Sequence, residues 1–312
     1  MRVTTYSAHQ SAIFNLQQRQ QGLQKTQEQL TSGKRVAKPS DDPVAAARAE
    51  RALAAMTRAD AHQRALEAAR TVTQFAETAL GDAGELIQQA RETVLAAGNP
   101  SYGEGERRAL VLTLKGVREQ LLGVANRSDG AGNYLFGGQG TERPPFVDDA
   151  SGRVVYQGTP GDTHVASDEA LSISLDGQRT WLEAPSGKAP PAPASLSIFD
   201  VLDTAIARLS VSGASDADVA LAVKEGVGDL DAYHAHLLAA RASTGEALNR
   251  MDQAELRIAD GKLAAQTERS GAEDLDLVQA ISDFQNRQTG YDAALRAYSM
   301  VQRLSLFNYI SG

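Results

Sequence analysis

Apolar positions in this chain recur at steps of three and four over most of its length, the period of a helix. Between Leu66 and Ala97 the step is unbroken: Leu66, Ala69, Thr73, Ala76, Leu80, Ala83, Ile87, Ala90, Val94 and Ala97. Gly98-Asn99-Pro100 stops it, so one long helix is predicted from Val44 to Gly98. Large side chains alternate with alanine along that face, which lets a partner helix approach closely. A second helix, about Glu104–Arg127, follows on Leu110, Leu114, Val117, Leu121 and Val124. Helix returns at Ser197–Leu209. From Asp216 onward Val223, Leu230, Leu237, Thr244, Met251, Ile258 and Ala265 recur every seven residues, with Tyr233, Ala240, Ala247 and Ala254 completing the seam. Length and small-residue spacing make this last segment the packing partner of residues 44–98.

Both ends of the chain carry stripes of the same kind. His9, Ile13, Leu16, Gln20, Leu23, Gln27 and Leu30 predict a helix over about residues 5–31, ended by the C-cap glycine Gly33. Leu277, Ile281, Phe284, Gln288, Tyr291, Leu295, Tyr298, Gln302 and Ser305 predict a helix at the other end, where chains are more often frayed and polar. Beside it Ala294, Ala297, Val301 and Leu304 form a second stripe, so this helix needs cover on two sides. The two terminal helices are expected to pair, yet their stripes are too narrow to offset the entropy of ordering them. They are therefore expected to be largely disordered in the monomer and to fold against neighbouring subunits. The side chains expected to pack there are Ile13, Leu16, Leu23, Leu30, Leu277, Ile281, Phe284, Tyr291, Leu295, Tyr298, Val301, Leu304 and Phe307. The amides at Gln20, Gln27, Gln288 and Gln302 either fix register as buried seam residues or simply face water.

The texture changes in the middle. Asn133-Tyr134-Leu135-Phe136-Gly137-Gly138 opens a region of Gly, Pro and short β-prone runs at 153–158, 164–166 and 171–175, with Asp176-Gly177 as a hairpin-type turn. Pro185, Pro190, Pro191 and Pro193 mark a linker out of it. The fold class is thus mainly α with a small β insertion, in an elongated, nested layout. Residues 1–43 and 270–312 form a terminal coiled-coil (inner) domain, 44–132 and 195–269 a helical bundle, and 133–194 a β-rich insertion with a Pro-rich linker.

Composition narrows the function classes. The 312 residues carry 39 Asp+Glu against 31 Lys+Arg, net −8, with no basic cluster, which argues against nucleic acid as a partner. No apolar run approaches the roughly 18–20 residues that span a bilayer, so no membrane insertion is expected. The N-terminal residues lack the apolar core of a cleavable signal peptide. With no cysteine, disulfides, thiolate metal sites and cysteine nucleophiles are excluded.

Candidate chemistry is sparse. His234 and His236 are two apart, so a helix points them to different faces rather than at one metal. Gly137-Gly138-Gln139-Gly140 lacks the spacing of a dinucleotide fingerprint. Asn126-Arg127-Ser128 fits the glycosylation sequon by chance composition. Asp41/Asp42 and Asp274/Asp276 read as helix caps rather than paired catalytic carboxylates, with Ser40 or Asp41 capping the helix that Pro43 begins. No catalytic, cofactor or metal site is predicted.

The run Leu30-Thr31-Ser32-Gly33-Lys34-Arg35-Val36, followed by Pro39-Ser40-Asp41-Asp42-Pro43-Val44-Ala45-Ala46-Ala47, resembles the N-terminal signature of the bacterial flagellin superfamily. The ending Leu304-Ser305-Leu306-Phe307-Asn308-Tyr309-Ile310 is similar to the hook–filament junction branch, the hook-associated protein 3 family. Within the match, Gly33, Arg35, Asp41, Asp42, Pro43, Asn308 and Tyr309 carry the family signature. The resemblance implies a structural, non-enzymatic subunit of the extracellular flagellum. It implies a ring of copies of itself between the first hook-associated protein and flagellin. It further implies unfolded export by the flagellar type III apparatus, with a cytoplasmic chaperone holding the C-terminal part. The alternative is a filament flagellin. A soluble enzyme on a helical scaffold lacks its catalytic constellation, and a coiled-coil signalling stalk would not be interrupted by a β insertion.

Overall fold

The computed structural model describes residues 2–140, 142–161, 164–165, 171–172, 175–186, 188 and 195–310, and the side chains of that set except at 2–6, 8, 164, 165, 171, 172 and 302–310. Six helices dominate: α1 (Arg2–Ser32), α2 (Pro43–Ala97), α3 (Glu104–Ala125), α4 (Ile198–Leu209), α5 (Asp216–Glu273) and α6 (Leu277–Ile310). The chain divides into two compact units, residues 1–60 with 259–312, and residues 61–258, so the division falls inside α2 and inside α5.

The second unit holds the main core. Every position of the predicted seam from Leu66 to Ala97 is buried on α2. Opposite them on α5 lie Leu230, Tyr233, Leu237, Thr244, Met251 and Ala254, also buried. Ala69, Ala76, Ala83 and Ala90 occupy alternate seam positions, and their small side chains let large residues of the partner fill the space between turns. Tyr233 is fully enclosed and places its hydroxyl on the Thr180 carbonyl at 2.9 Å, which satisfies the one polar atom it buries. Ion pairs line the rim, including Arg241–Glu77 at 2.6 Å, Arg91–Asp231 at 2.6 Å and Arg70–Glu255 at 2.9 Å. Such solvent-accessible pairs add little to stability.

The β insertion is sewn onto this bundle. Its strands are short antiparallel pairs: β1 (Phe146–Asp148) with β2 (Val154–Tyr156), β3 (His164–Val165) with β4 (Leu171–Ser172), and β5 (Ala184–Pro185) with β6 (Ser195–Leu196). Phe136, Phe146, Trp181 and Phe199 cluster in one aromatic core, with Phe136 edge-on to Trp181 at a centroid distance of 5.3 Å. Arg118 of α3 ties strand and helix together, reaching Asp148 and Asp203 each at 2.7 Å. Burial holds the Asp203 carboxyl above its ordinary value even with Arg118 beside it.

Two features of this region differ from expectation. Asp176-Gly177 is not a hairpin turn. The Asp176 carboxylate accepts the Gln178 and Arg179 amides and so opens a single wide helical turn, Gln178–Leu182, that carries Trp181 inward. Pro185 belongs to β5 rather than to a linker; an outer strand of a two-stranded pair tolerates its missing N–H. Pro190, Pro191 and Pro193, and Ala166, Ile173 and Ser174 of the expected strands, lie outside the described residues. The Asn126 amide pairs with β1: its Nδ2 donates to the Phe146 carbonyl at 2.7 Å and its Oδ1 accepts the Phe146 N–H at 2.9 Å.

Candidate assembly interface

The signature segment after α1 builds a clasp within the first unit. Gly33 adopts φ +69°, a conformation that costs glycine least, and its N–H closes α1 on the Gln29 carbonyl at 2.9 Å. The next residues turn onto the end of α5. The Arg35 N–H donates to the Glu273 carbonyl at 2.7 Å, and the Leu275 N–H donates to the Gly33 carbonyl at 3.0 Å. Arg35 Nη2 donates to the Ala272 carbonyl at 2.7 Å. These are carbonyls of the last helical turn, which have no partner inside their own helix. Arg35 and its backbone therefore serve as the C-cap of α5. Val36 and Ala272 are buried beneath the clasp.

Charged pairs close its outside. Lys25 pairs with Asp41 at 2.9 Å, Lys38 with Glu28 at 2.9 Å, Lys34 with Glu273 at 3.1 Å, and Arg35 with Asp42 at 3.4 Å. Asp42, rather than Ser40 or Asp41, caps α2: its Oδ1 accepts the Val44 and Ala45 amides at 3.2 and 3.0 Å, and Pro43 fills the first helical position. Asp41 is already taken by Lys25 and by the Lys38 amide. Asp276 caps α6 in the same manner through the Val278 and Gln279 amides. The Ala45 N–H holds the Asp42 carboxyl below the usual range, and the Lys25 ammonium does so for Asp41.

Beyond the clasp α1 and α6 run antiparallel. Arg19 lies opposite Gly290, Gly22 opposite Arg287, and His9 opposite Tyr298, whose rings stand 5.4 Å apart. The seam is not centred where the large residues predicted it. Thr26 and Ala280 are its buried members, and Leu16, Gly22, Leu23, Leu30, Phe284, Tyr291, Ala294 and Tyr298 are half-buried. The Thr26 hydroxyl is satisfied on the Gly22 carbonyl at 2.9 Å. Ile13, Leu277, Ile281, Leu295 and Val301 remain exposed, Leu277 by 53% and Val301 by 64%. On the covered edge the small residues make room for side chains of the opposite helix, Arg287 over Gly22 and Arg19 over Gly290, and the larger apolar residues lie on a flank. Ala294, expected on the outer stripe, faces α1, while Leu295 does not. Gln20, Gln27 and Gln288 face water rather than fixing register. The side chains of Gln302, Leu304, Ser305, Phe307, Asn308 and Tyr309 lie outside the described residues. Two exposed residues that the pattern reading passed over, Phe14 and Val278, extend the uncovered apolar surface.

In the second unit the two histidines diverge: His234 Nδ1 meets Gln88 at 2.8 Å and His236 Nε2 meets the Arg179 carbonyl at 3.1 Å. Among the described residues no three His, Asp or Glu side chains converge as metal ligands would.

A chain with a terminal helix pair of half-covered apolar stripes and a helical bundle that carries a β insertion has counterparts of known identity. Flagellar hook-associated protein 3 of Escherichia coli strain K12 is 31% identical over 318 residues, which cover 98% of this chain and 99% of that protein. The chain belongs to the flagellar hook-associated protein 3 family. The bacterial flagellin N-terminal helical region matches residues 3–141. The crystal structure of flagellar hook associated protein-3 from Legionella pneumophila superposes with a TM-score of 0.64 at 18% identity, over 70% of this chain and 97% of that one. The flagellar junction protein FlgL from the same organism superposes at 0.57 and 17%, over 63% and 96%. At those identities the structures show a shared fold. The chain is thus a structural component of the flagellum, in a family that is not enzymatic.

Proposed function

We propose that this chain forms the junction of the flagellum, a ring of its own copies between the first hook-associated protein and the flagellin filament. The observation that carries the reading is the terminal helix pair: each helix covers one edge of its apolar stripe intramolecularly and leaves the other edge exposed. A surface of that kind is completed by neighbours. Full-length likeness to a hook-associated protein 3 supports the place in the assembly. Export unfolded through the flagellar type III apparatus, with a cytoplasmic chaperone on the C-terminal part, belongs to the same proposal. Helices held by so few large side chains are compatible with a chain kept unfolded until assembly. Deleting the gene tests the role: cells should make hooks and shed flagellin as monomer, and normal filaments on that mutant reject it.

A second reading, a filament flagellin, draws on the flagellin-type match over residues 3–141. Purified protein that extends into long filaments on its own favours that reading; growth that stops at short rings favours the junction.

A further inference from the structure

The terminal pair carries two reciprocal crossings. The side chain of Arg287 on α6 lies over Gly22 of α1, so close that a Cβ there would stand 2.7 Å from Nη1. Arg19 of α1 lies over Gly290 of α6 in the same way, with 2.9 Å to a Cβ. On each helix the arginine and glycine are three residues apart, less than one turn, or about 4.5 Å of rise. Two guanidinium groups therefore converge on one flank of the seam. Among the described residues neither has an ion-pair partner. Asp283, four residues before Arg287, bonds to Gln279 instead, at 3.4 Å.

The pair as a whole is cationic. α1 and α6 hold six Arg or Lys and three Asp or Glu, net +3, in a chain of net charge −8. Of the three acids Glu28 is occupied by Lys38 and Asp283 by Gln279. Asp292 is exposed and has no hydrogen-bond or ion-pair partner among the described residues; Arg296, four residues on, is not within ion-pair distance. By the helical period Asp292 stands one turn from Leu295 and two turns from Gln285, on the flank of α6 that turns away from Gly290. That is the flank of the exposed Ile281 and Leu295. Arg19 and Arg287 thus sit on one flank of the helix pair and Asp292 on another, and they do not meet within a copy.

We infer that Asp292 of a second copy of this chain docks between Arg19 and Arg287. The inference rests on the proposal that copies assemble through their terminal helices. It adds which flank meets which, and it makes the contact heterologous, the kind that builds rings or helical arrays rather than closed dimers. A carboxylate bridging two guanidinium groups is also directional, so it selects the neighbour's register where apolar contact alone would not.

A charge swap in cells lacking their own copy tests it. Arg19→Glu with Arg287→Glu in one allele, and Asp292→Arg in another, should each lower filaments per cell at least tenfold. Co-expressing the two alleles should restore the count to within twofold of wild type, because each copy then offers the charge that the other lost. Either variant assembling normally alone, or no recovery on co-expression, overturns the inference. The chain has no cysteine, so Arg287→Cys with Asp292→Cys on one copy gives an independent reading that does not depend on the charge-swapped alleles being exported. Flagella carrying it should show disulfide-linked ladders without reductant, whereas monomer alone overturns the contact. Loss of the junction role itself is read separately, as filaments on the deletion strain.

Discussion

Arg35→Ala should loosen the end of α5 and the start of α6 without unfolding the rest of the chain. In the native clasp the Arg35 guanidinium donates to the Ala272 carbonyl at 2.7 Å, and that carbonyl is the kind a helix end cannot satisfy by itself. A hydrogen bond from a charged group contributes about 1.5–3 kcal/mol. The Arg35 side chain is 46% exposed, so water competes for both partners and the lower end applies. A loss of about 1.4 kcal/mol multiplies a local opening equilibrium by ten. The amide to watch is Leu275, whose N–H crosses the clasp to the Gly33 carbonyl at 3.0 Å. Its hydrogen exchange should accelerate about tenfold, together with the amides that Asp276 caps at Val278 and Gln279. Arg35→Lys keeps the charge but not the reach of the planar fork, and should produce a smaller acceleration. Exchange at Leu275 unchanged within twofold, or accelerated equally throughout residues 61–258, would refute the capping role.

Other consequences follow from the same geometry. Asp41 and Asp42 titrate below the ordinary carboxylate range in the folded state, so their contribution is present above that range and fades as pH falls through their folded values. Amide exchange over residues 38–46 should therefore rise on acidification, and Asp42→Asn, which keeps the acceptor oxygen, should remove Asp42's share of that rise. Tyr233→Phe should lower stability by about 0.5–1.5 kcal/mol, read as a reduced melting temperature, because it strips the Thr180 carbonyl of its buried donor. Leu277→Ser should change thermal stability by no more than about 0.5 kcal/mol yet reduce filament number in complemented cells, since Leu277 is already half in water in a single copy. Equal loss of both would show that Leu277 packs within its own chain.

How much of this could be read in the residues depended on whether one helix face had one partner. On α2, every residue of the three-four step from Leu66 to Ala97 is buried, and only Ala79 and Thr93 are buried beside it. On α6 the same step picked out Leu277, Ile281 and Leu295, which the structure leaves outside. Hydrophobicity ranks residues by size, whereas the covered positions of this pair include the small residues Gly22, Thr26, Ala280 and Ala294. The aromatic core was beyond periodicity for another reason. Phe136, Phe146, Trp181 and Phe199 come from four separated segments, and only the fold brings them together. Likewise Asp176-Gly177 has hairpin chemistry, but the Asp176 carboxylate finds the two following amides first.

The clasp and the seam also explain how one chain can hold a firm bundle and a conditional pair of helices. α2 and α5 pack around alanine as well, but there large residues from the partner fill the spaces: Leu80, Ile87, Leu230, Tyr233 and Leu237 are all buried to within 1%. Along α1 and α6 the glycines Gly22 and Gly290 are covered by Arg287 and Arg19 of the opposite helix rather than by large apolar side chains, so the pairing brings little apolar burial with it. The larger side chains are left on the flank, where a second copy can use them. The register of the pair is then set less by its own seam than by its fixed end, the Gly33–Val36 segment bonded to the α5 terminus. A clasp at one end and an unfinished apolar flank along the length give a helix pair that is aimed before it is fully buried. Under the proposed junction role, such a pair presents its flank in register before a neighbouring copy completes it.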